Sequence, residues 1–392
     1  MRIAYCVYDS NDLQNYSGMV DRNNKNFDQI RKICSANFGN LVFKYGARKL
    51  FSDNVSLCYV TYNDNVELLK GKFDLLVLPE ANLVNPNVNY QKPANFIKEL
   101  DIPVLIYGVG AQGDLTSSTE DFMNLMPGTV DFLNQVARRT ETIFCRGKFT
   151  KNILAKLGID NVMDVGCPSY MINPSPTLWS DLKSKDISRI GGTEGVYHPS
   201  KRNPMMDRFE RKLFELVTLT NTDYIGQCQN TVLKTGLGLY DEVSDRDING
   251  LNRYLAPAQS IEEFKDNIRK VCKAYVKVDD WICSQRKLDA VIGTRIHGNM
   301  TGLQAGIYCM PVVHDSRLLE LCESMSFPYL TLEETASIDL VDDFKSVFIS
   351  KYAKFDHSEA DDRRSEIANI YRTSIIELGL TPSNGLNSIA RV

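Results

Sequence analysis

Asp289-Ala-Val-Ile-Gly-Thr-Arg295-Ile-His297-Gly298-Asn299 joins an apolar run to a helical pattern through two side chains able to carry positive charge. Ala290, Val291 and Ile292 have the unbroken apolar character of a strand buried on both faces of a parallel sheet. Residues 298–305 then read as a helix start, so Arg295 and His297 fall at the carboxyl end of the strand. Ligands of open α/β sheets bind at that end, and the unpaired N–H groups of a helix start favour an anion there. The stretch therefore predicts an anion site on a parallel α/β sheet.

Outward from this junction, short apolar runs keep alternating with helical patterns. On the N-terminal side, 2–8, 57–61, 73–78, 104–107, 142–145 and 162–165 read as strands, with helices over 95–100 and 148–157. On the C-terminal side, 189–197, 222–226, 311–314 and 329–332 read as strands, with helices over 205–219, 261–276, 317–324, 342–352 and 358–378. Such alternation predicts parallel, helix-covered sheets. A chain of 392 residues exceeds what one hydrophobic core supports, so two domains of about 150 to 200 residues are expected, with a cleft between them. Asn173-Pro-Ser-Pro176 cannot continue a helix or a central strand, which places the linker near 173–187. The expected domains are 1–175 and 188–357.

The 43% hydrophobic and 24% charged fractions are those of an ordinary globular protein, and a net charge of -4 gives no support for nucleic-acid binding. Any anion must be held by local groups. The N-terminal MRIAYCVYDSND turns polar too early for a secretory signal, and no segment reaches the roughly 18 consecutive apolar residues of a membrane span. A cytoplasmic location is expected. Cys6, Cys34, Cys58, Cys145, Cys167, Cys228, Cys272, Cys283, Cys309 and Cys322 are scattered without metal-type pairing, which predicts reduced, mostly buried thiols and no metal site.

Arg295 and His297 carry the sharpest chemistry. The planar fork of Arg suits a carboxylate or phosphate, and His moves a proton near neutral pH. The plain alternative is a helix cap beside a satisfied histidine. His198, in the turn-like Tyr197-His-Pro-Ser, His314, beside Asp315, and His357, in a polar C-terminal segment, have weaker contexts.

At this point the residues resemble the polysaccharide pyruvyl transferase family. Its C-terminal signature is an apolar strand, a small polar turn, Arg-x-His-Gly and a later Gly-x-x-x-Pro-Val. Here these read Val291-Ile-Gly-Thr-Arg295-Ile-His297-Gly298 and Gly306-Ile-Tyr-Cys-Met-Pro311-Val-Val, where Tyr308, Cys309 and Met310 are extra to the shorter family form and are expected to change a loop rather than the site. Asn37-Phe38-Gly39-Asn40 is similar to the family's N-terminal Asn-x-Gly-Asp/Asn turn. The segment from Cys145 and Arg146 to Gly158 is similar to its Arg-bearing helix, and Val165-Gly166-Cys-Pro168-Ser169 to its third motif. Each has a plain structural explanation alone; their order together with Arg-x-His is specific.

The resemblance implies an α/β, GT-B-like fold, with two Rossmann-like domains whose parallel sheets face a central cleft and a C-terminal helix, 358–392, returning to the first domain. It implies phosphoenolpyruvate as donor and a sugar hydroxyl pair as acceptor, giving a cyclic pyruvate ketal and free phosphate. Arg295 is then the first donor ligand and Arg146 the second, with a surface salt bridge as the plain reading of Arg146; backbone N–H groups at Gly298 and Asn299 complete the anion pocket. His297, as imidazolium, protonates the methylene carbon. Asn37, Phe38 and Asn40 face the acceptor, with core packing the plain reading of Phe38. Asp9, Asp315 and Glu320 are open choices for a base. No cofactor or essential metal is expected. The acceptor is a surface polysaccharide, such as a capsule or exopolysaccharide, or its lipid-linked precursor, with transient contact at the inner membrane face. The alternatives are a nucleotide-sugar glycosyltransferase of similar fold and a non-catalytic sugar-binding protein.

Overall fold

A computed structural model describes residues 1–7, 18–23, 25–183, 185–195, 203–339 and 341–392; Tyr8, Asp9, Tyr197 and His198 lie outside the described residues. Two six-stranded sheets, parallel throughout, organise them. The first holds β1 (Ile3–Val7), β2 (Leu57–Thr61), β3 (Leu75–Pro79), β4 (Val104–Val109), β5 (Ile143–Cys145) and β6 (Val162–Asp164) in the order β2-β1-β3-β4-β5-β6. The second holds β7 (Ile190–Thr193), β8 (Tyr224–Ile225), β9 (Cys272–Lys273), β10 (Ala290–Gly293), β11 (Tyr308–Val313) and β12 (Leu330–Thr331) in the order β12-β11-β10-β7-β8-β9. Strands such as β3, β4, β10 and β11 are buried along their whole length because helices cover both faces, and this explains their unbroken apolar sequences. The architecture is the expected GT-B-like pair of Rossmann-like domains.

Strand order locates the crevice. In the second sheet the chain moves outward from β7 to β8 and β9, then returns to place β10 on the other side of β7. Connections therefore diverge at the carboxyl ends of β7 and β10, and such a switch point is where open sheets bind ligands. Gly293 ends β10 there with φ 156°, and a Cβ on it would stand 2.2 Å from Thr193 Oγ1. Only glycine lets the two strand ends come so close.

Three expectations are corrected. The helix predicted over 261–276 stops at Val271, where Cys272 turns extended and pairs β9 with β8; tertiary pairing overrides the local pattern. Tyr308, Cys309 and Met310, expected in a loop, form the first half of β11, with Tyr308 in register with Ala290. The C-terminal helix spans His357–Glu377 and breaks at Gly379, whose φ is 70°, before a short helix at Asn384–Ile389.

That C-terminal helix staples the molecule. Tyr371 packs edge-on against Tyr107 and Phe144 of the first sheet, with ring centroids 5.5 and 5.3 Å away. Asp361 accepts the backbone N–H groups of Trp179 and Ser180, both at 2.9 Å. The fully buried Arg364 donates to the carbonyls of Tyr170 (3.0 Å), Asn173 and Ser175. The proline-rich segment between the sheets is thus packed, with Trp179 wholly buried. Replacing Arg364 by Met removes the donor from the partly buried carbonyls of Asn173 and Ser175 and leaves Tyr170 only the long bond from Gln304, so a loss on the order of 3 kcal/mol is expected. Calorimetry should show the thermal transition lowered by several degrees, and an unchanged transition would rule out the stapling role.

Candidate functional site

The opening junction closes into a tight cap. Arg295 is the N-cap of the helix Ile296–Gln304, and its side chain makes no capping bond. Asn299 ties the turn instead, its side-chain amide donating to the carbonyls of Gly293 and Arg295, both at 2.9 Å, and its backbone N–H to Arg295 at 3.3 Å. The backbone N–H groups of Ile296, His297 and Gly298 meet no acceptor among the described residues. Gly298 thus keeps an open donor, whereas the Asn299 donors are committed to the turn.

The first domain brings a second helix start against this cap. The helix Gly39–Lys49 begins where a Cβ on Gly39 would lie 3.1 Å from His297 Cβ and 2.7 Å from Gln227 Oε1, so a larger residue would push the domains apart. Phe38 is fully buried in the core, and its N–H donates to the Gln227 carbonyl at 2.8 Å across the domain boundary. Asn37 Oδ1 accepts from Gly39 N–H at 2.9 Å, and the Asn40 amide donates to Cys34 at 3.1 Å. These contacts shape the turn that delivers Gly39 to His297; the Phe38 ring lies in the core.

His297 is buried, with its ring 5.9 Å from Phe43 and its Nε2 3.7 Å from Cys167 Sγ, which in turn lies 3.0 Å from Ser169 Oγ. Arg146 follows β5 in the first domain and is buried rather than part of a surface salt bridge. Its Nε donates to the Gly108 carbonyl at 3.0 Å and one terminal nitrogen to Asn82 Oδ1 at 3.1 Å, while the other has no acceptor among the described residues. The guanidinium of Arg295 makes no hydrogen bond or ion pair among the described residues, and its Nε is buried. Burial, then the charges of Arg146, Arg317 and Arg295, push His297 down to about 3. The imidazole is therefore neutral at physiological pH in this state, and its protonation requires a compensating negative charge.

Acidic groups nearby are mostly engaged. Glu320 accepts the N–H (2.9 Å) and hydroxyl (2.8 Å) of Thr150, capping the first-domain helix Lys148–Lys156 from the second domain. Asp315 caps the helix Ser316–Ser324 through Leu318 N–H at 2.8 Å and pairs with Arg317 at 3.0 Å. Asp9 and His198 lie outside the described residues. His314 sits 3.7 Å from Asp315, and His357 packs against Tyr352 and Phe355.

Sequence reasoning missed a buried polar group at the ends of β7 and β10. Thr193 Oγ1, Glu194 Oε2, Gln227 Nε2 and Thr294 Oγ1 are all buried without a hydrogen-bond partner. Burial, opposed by the charge of Arg295, raises Glu194 to about 7, and its other oxygen accepts from the N–H groups of Cys228 and Gln229 (2.8 Å). Burial likewise raises Glu210 to about 7, where it accepts from Tyr224 Oη at 2.9 Å. Strand order alone reveals that residues so far apart in sequence meet. Among the described residues, no group of three His, Cys, Asp or Glu is placed to hold a metal ion, and no helix is long and apolar enough to cross a membrane.

Comparison with curated proteins finds no match. Solved structures similar to the chain include the S. aureus MnaA–UDP co-structure, at 10% identity over 98% of this chain and 99% of that one, with a TM-score of 0.46. UDP-GlcNAc 2-epimerase from Neisseria meningitidis bound to UDP-GlcNAc is 10% identical over 96% of this chain and 100% of that one, with a TM-score of 0.46. The Arg-x-His junction, the Asn-Phe-Gly-Asn turn pressed against it and the Arg146 and Cys167 loops all fall within residues 3–316, the span matched by the polysaccharide pyruvyl transferase model, and the chain belongs to that family.

Proposed function

We propose that the protein transfers pyruvate from phosphoenolpyruvate to a pair of hydroxyls on a sugar of a surface polysaccharide or its lipid-linked precursor. One observation carries this reading: two arginines from opposite domains, Arg146 and Arg295, hold uncommitted N–H donors around a buried neutral imidazole, beside the unpaired N–H groups of a helix start. Such a site suits a small anion bearing both phosphate and carboxylate. We place the reaction at the cytoplasmic face of the inner membrane, with no cofactor and no essential metal.

In this mechanism Arg295 and Arg146 grip the donor and the N–H of Gly298 adds a further hydrogen bond. Burial and then the three guanidinium groups hold His297 neutral, and the negative charge of the donor offsets both, so donor binding brings the imidazole its proton. His297 passes that proton to the methylene carbon, and a sugar hydroxyl attacks the adjacent carbon, returning its own proton to His297. The carbon–oxygen bond to phosphate breaks with its electron pair. A second hydroxyl closes the ketal, and its proton leaves with the phosphate, so atoms and charge balance. Thr193, Thr294 and Gln227 offer unpartnered hydroxyl and amide groups for the acceptor beside the turn formed by Asn37, Phe38 and Asn40.

The direct test incubates the protein with phosphoenolpyruvate and a panel of glycosides, following phosphate release and the mass gain of a pyruvate ketal. His297→Ala should lose about 10²- to 10⁴-fold in turnover; an active His297→Ala enzyme removes the acid role, and turnover of a nucleotide sugar with phosphoenolpyruvate ignored removes the whole reading.

A second prediction concerns protons. Because a bound anion raises the pKa of His297, the complex holds more protons than the free protein, and donor affinity should rise as pH falls from 8 to 6. Burial pushes the Cys167 thiol up and raises Glu194, Glu210 and Glu320 to about 7, and all four groups are present in the wild type and the variant alike. The comparison with His297→Asn therefore isolates the histidine. Calorimetry in buffers of different ionisation heat should detect proton uptake in the wild type and less in the variant; equal uptake removes the coupling.

A further inference from the structure

Arg317 stands in the first turn of the helix Ser316–Ser324, with its side chain 21% exposed. One terminal nitrogen donates to Asp315 Oδ2 at 3.0 Å and the other reaches toward Gln112 Oε1 of the first domain at 3.5 Å, the outer limit of a hydrogen bond. Gln112 Oε1 also accepts from the Asn82 amide at 3.0 Å, and Asn82 Oδ1 accepts from Arg146 at 3.1 Å. Two amide side chains thus link an arginine of one domain to an arginine of the other. The helix start is held on the first domain as well, since Ser316 N–H donates to the Gly113 carbonyl at 3.0 Å and Gly113 N–H to Ser316 Oγ at 3.2 Å.

We propose that Arg317 is a third donor-binding arginine, which holds the phosphate group of phosphoenolpyruvate and retains it as it leaves; this rests on the pyruvyl-transfer reading above. Charge is the first argument. The donor brings a phosphate of about two negative charges at neutral pH and a carboxylate of one, while Arg146 and Arg295 supply two positive charges and the imidazole none until it takes up a proton, so Arg317 supplies the third charge as the donor arrives and again once the proton has passed to carbon. Orientation is the second. Asp315 is committed to capping the helix and lies beside His314. Arg317 acts on both His297 and Arg146; the Asp315 carboxylate acts on Arg146 as well but is no cause of the His297 shift. The carboxylate fixes the fork through one terminal nitrogen and leaves the other, only loosely held at 3.5 Å from Gln112, for a ligand. A fork fixed in this way before the ligand arrives loses little side-chain entropy on binding.

The test measures binding of inorganic phosphate and of phosphoenolpyruvate by calorimetry in the full-length wild type, Arg317→Gln and Arg317→Lys, with thermal melts alongside. Loss of a charge-assisted contact should weaken both ligands by about 10- to 100-fold in Arg317→Gln, with Arg317→Lys between it and the wild type. In turnover, KM for the donor should rise more than kcat falls, because the contact exists before and during the reaction. Wild-type affinity for both ligands in folded Arg317→Gln overturns the proposal, and Arg317→Met decides it in the same way should that variant fail to fold. A wild type that binds phosphate but not phosphoenolpyruvate, with phosphate still weakened in Arg317→Gln, overturns the pyruvyl-transfer reading and leaves Arg317 as an anion ligand. A wild type that binds neither overturns both.

Discussion

Three guanidinium groups, from Arg146, Arg295 and Arg317, act on one buried imidazole, and like charges gathered away from bulk water repel. Much of the architecture around the cleft counters that repulsion. The Gly108 carbonyl and Asn82 hold Arg146, and Asp315 holds Arg317. Arg295 makes no hydrogen bond or ion pair among the described residues, though the charges of the buried Glu194 and Glu210 act on it. Its guanidinium, with a buried Nε, is the least satisfied cation of the three and would gain most from an incoming anion.

Because the cations come from both domains, the site exists only in the geometry the domains adopt together. Several contacts fix that geometry: Phe38 to Gln227, Ser316 to Gly113, and Glu320 capping a helix of the opposite domain. The C-terminal helix adds a covering constraint through Arg364, Asp361 and Tyr371. Removing one contact would still leave neighbours holding the two faces, whereas enlarging Gly39 would act at once on His297, since a Cβ there would lie 3.1 Å from the His297 Cβ.

Much of this was legible from local patterns. Unbroken apolar runs marked the buried strands, and the Arg-x-His turn marked a ligand end of one of them. What was not legible depends on partners far apart in the chain. Cys272 and Lys273 become a strand only because Tyr224 and Ile225 are there to pair with, and the helical pattern before them gives no sign of it. Tyr308 to Met310 looked like an insertion because their register with Ala290 to Ile292 is set by another strand. Phe38 gave no local clue to its burial, since an aromatic at a turn can face either way. Arg317 carries no local signal, since an arginine in a helix is usually solvated; its place beside Gln112 and, through Asn82, Arg146 is visible only in the fold.

The buried polar atoms at the ends of β7 and β10 make the same point energetically. A buried donor or acceptor left unpaired costs about 1 to 3 kcal/mol, and Thr193, Glu194, Gln227, Thr294 and Arg295 each contribute one. Apolar replacements would remove that cost, and the surrounding core is otherwise well filled by residues such as Ile292, Met300 and Leu303. Among the described residues, unpartnered buried atoms also lie elsewhere, as at Tyr107, Trp281 and Tyr371, but those of Thr193, Glu194, Gln227 and Thr294 fall together where β7 and β10 end, beside the Arg295 guanidinium. A ligand bearing negative charge and hydroxyl groups would satisfy both at once, which is the physical ground for the proposed substrates.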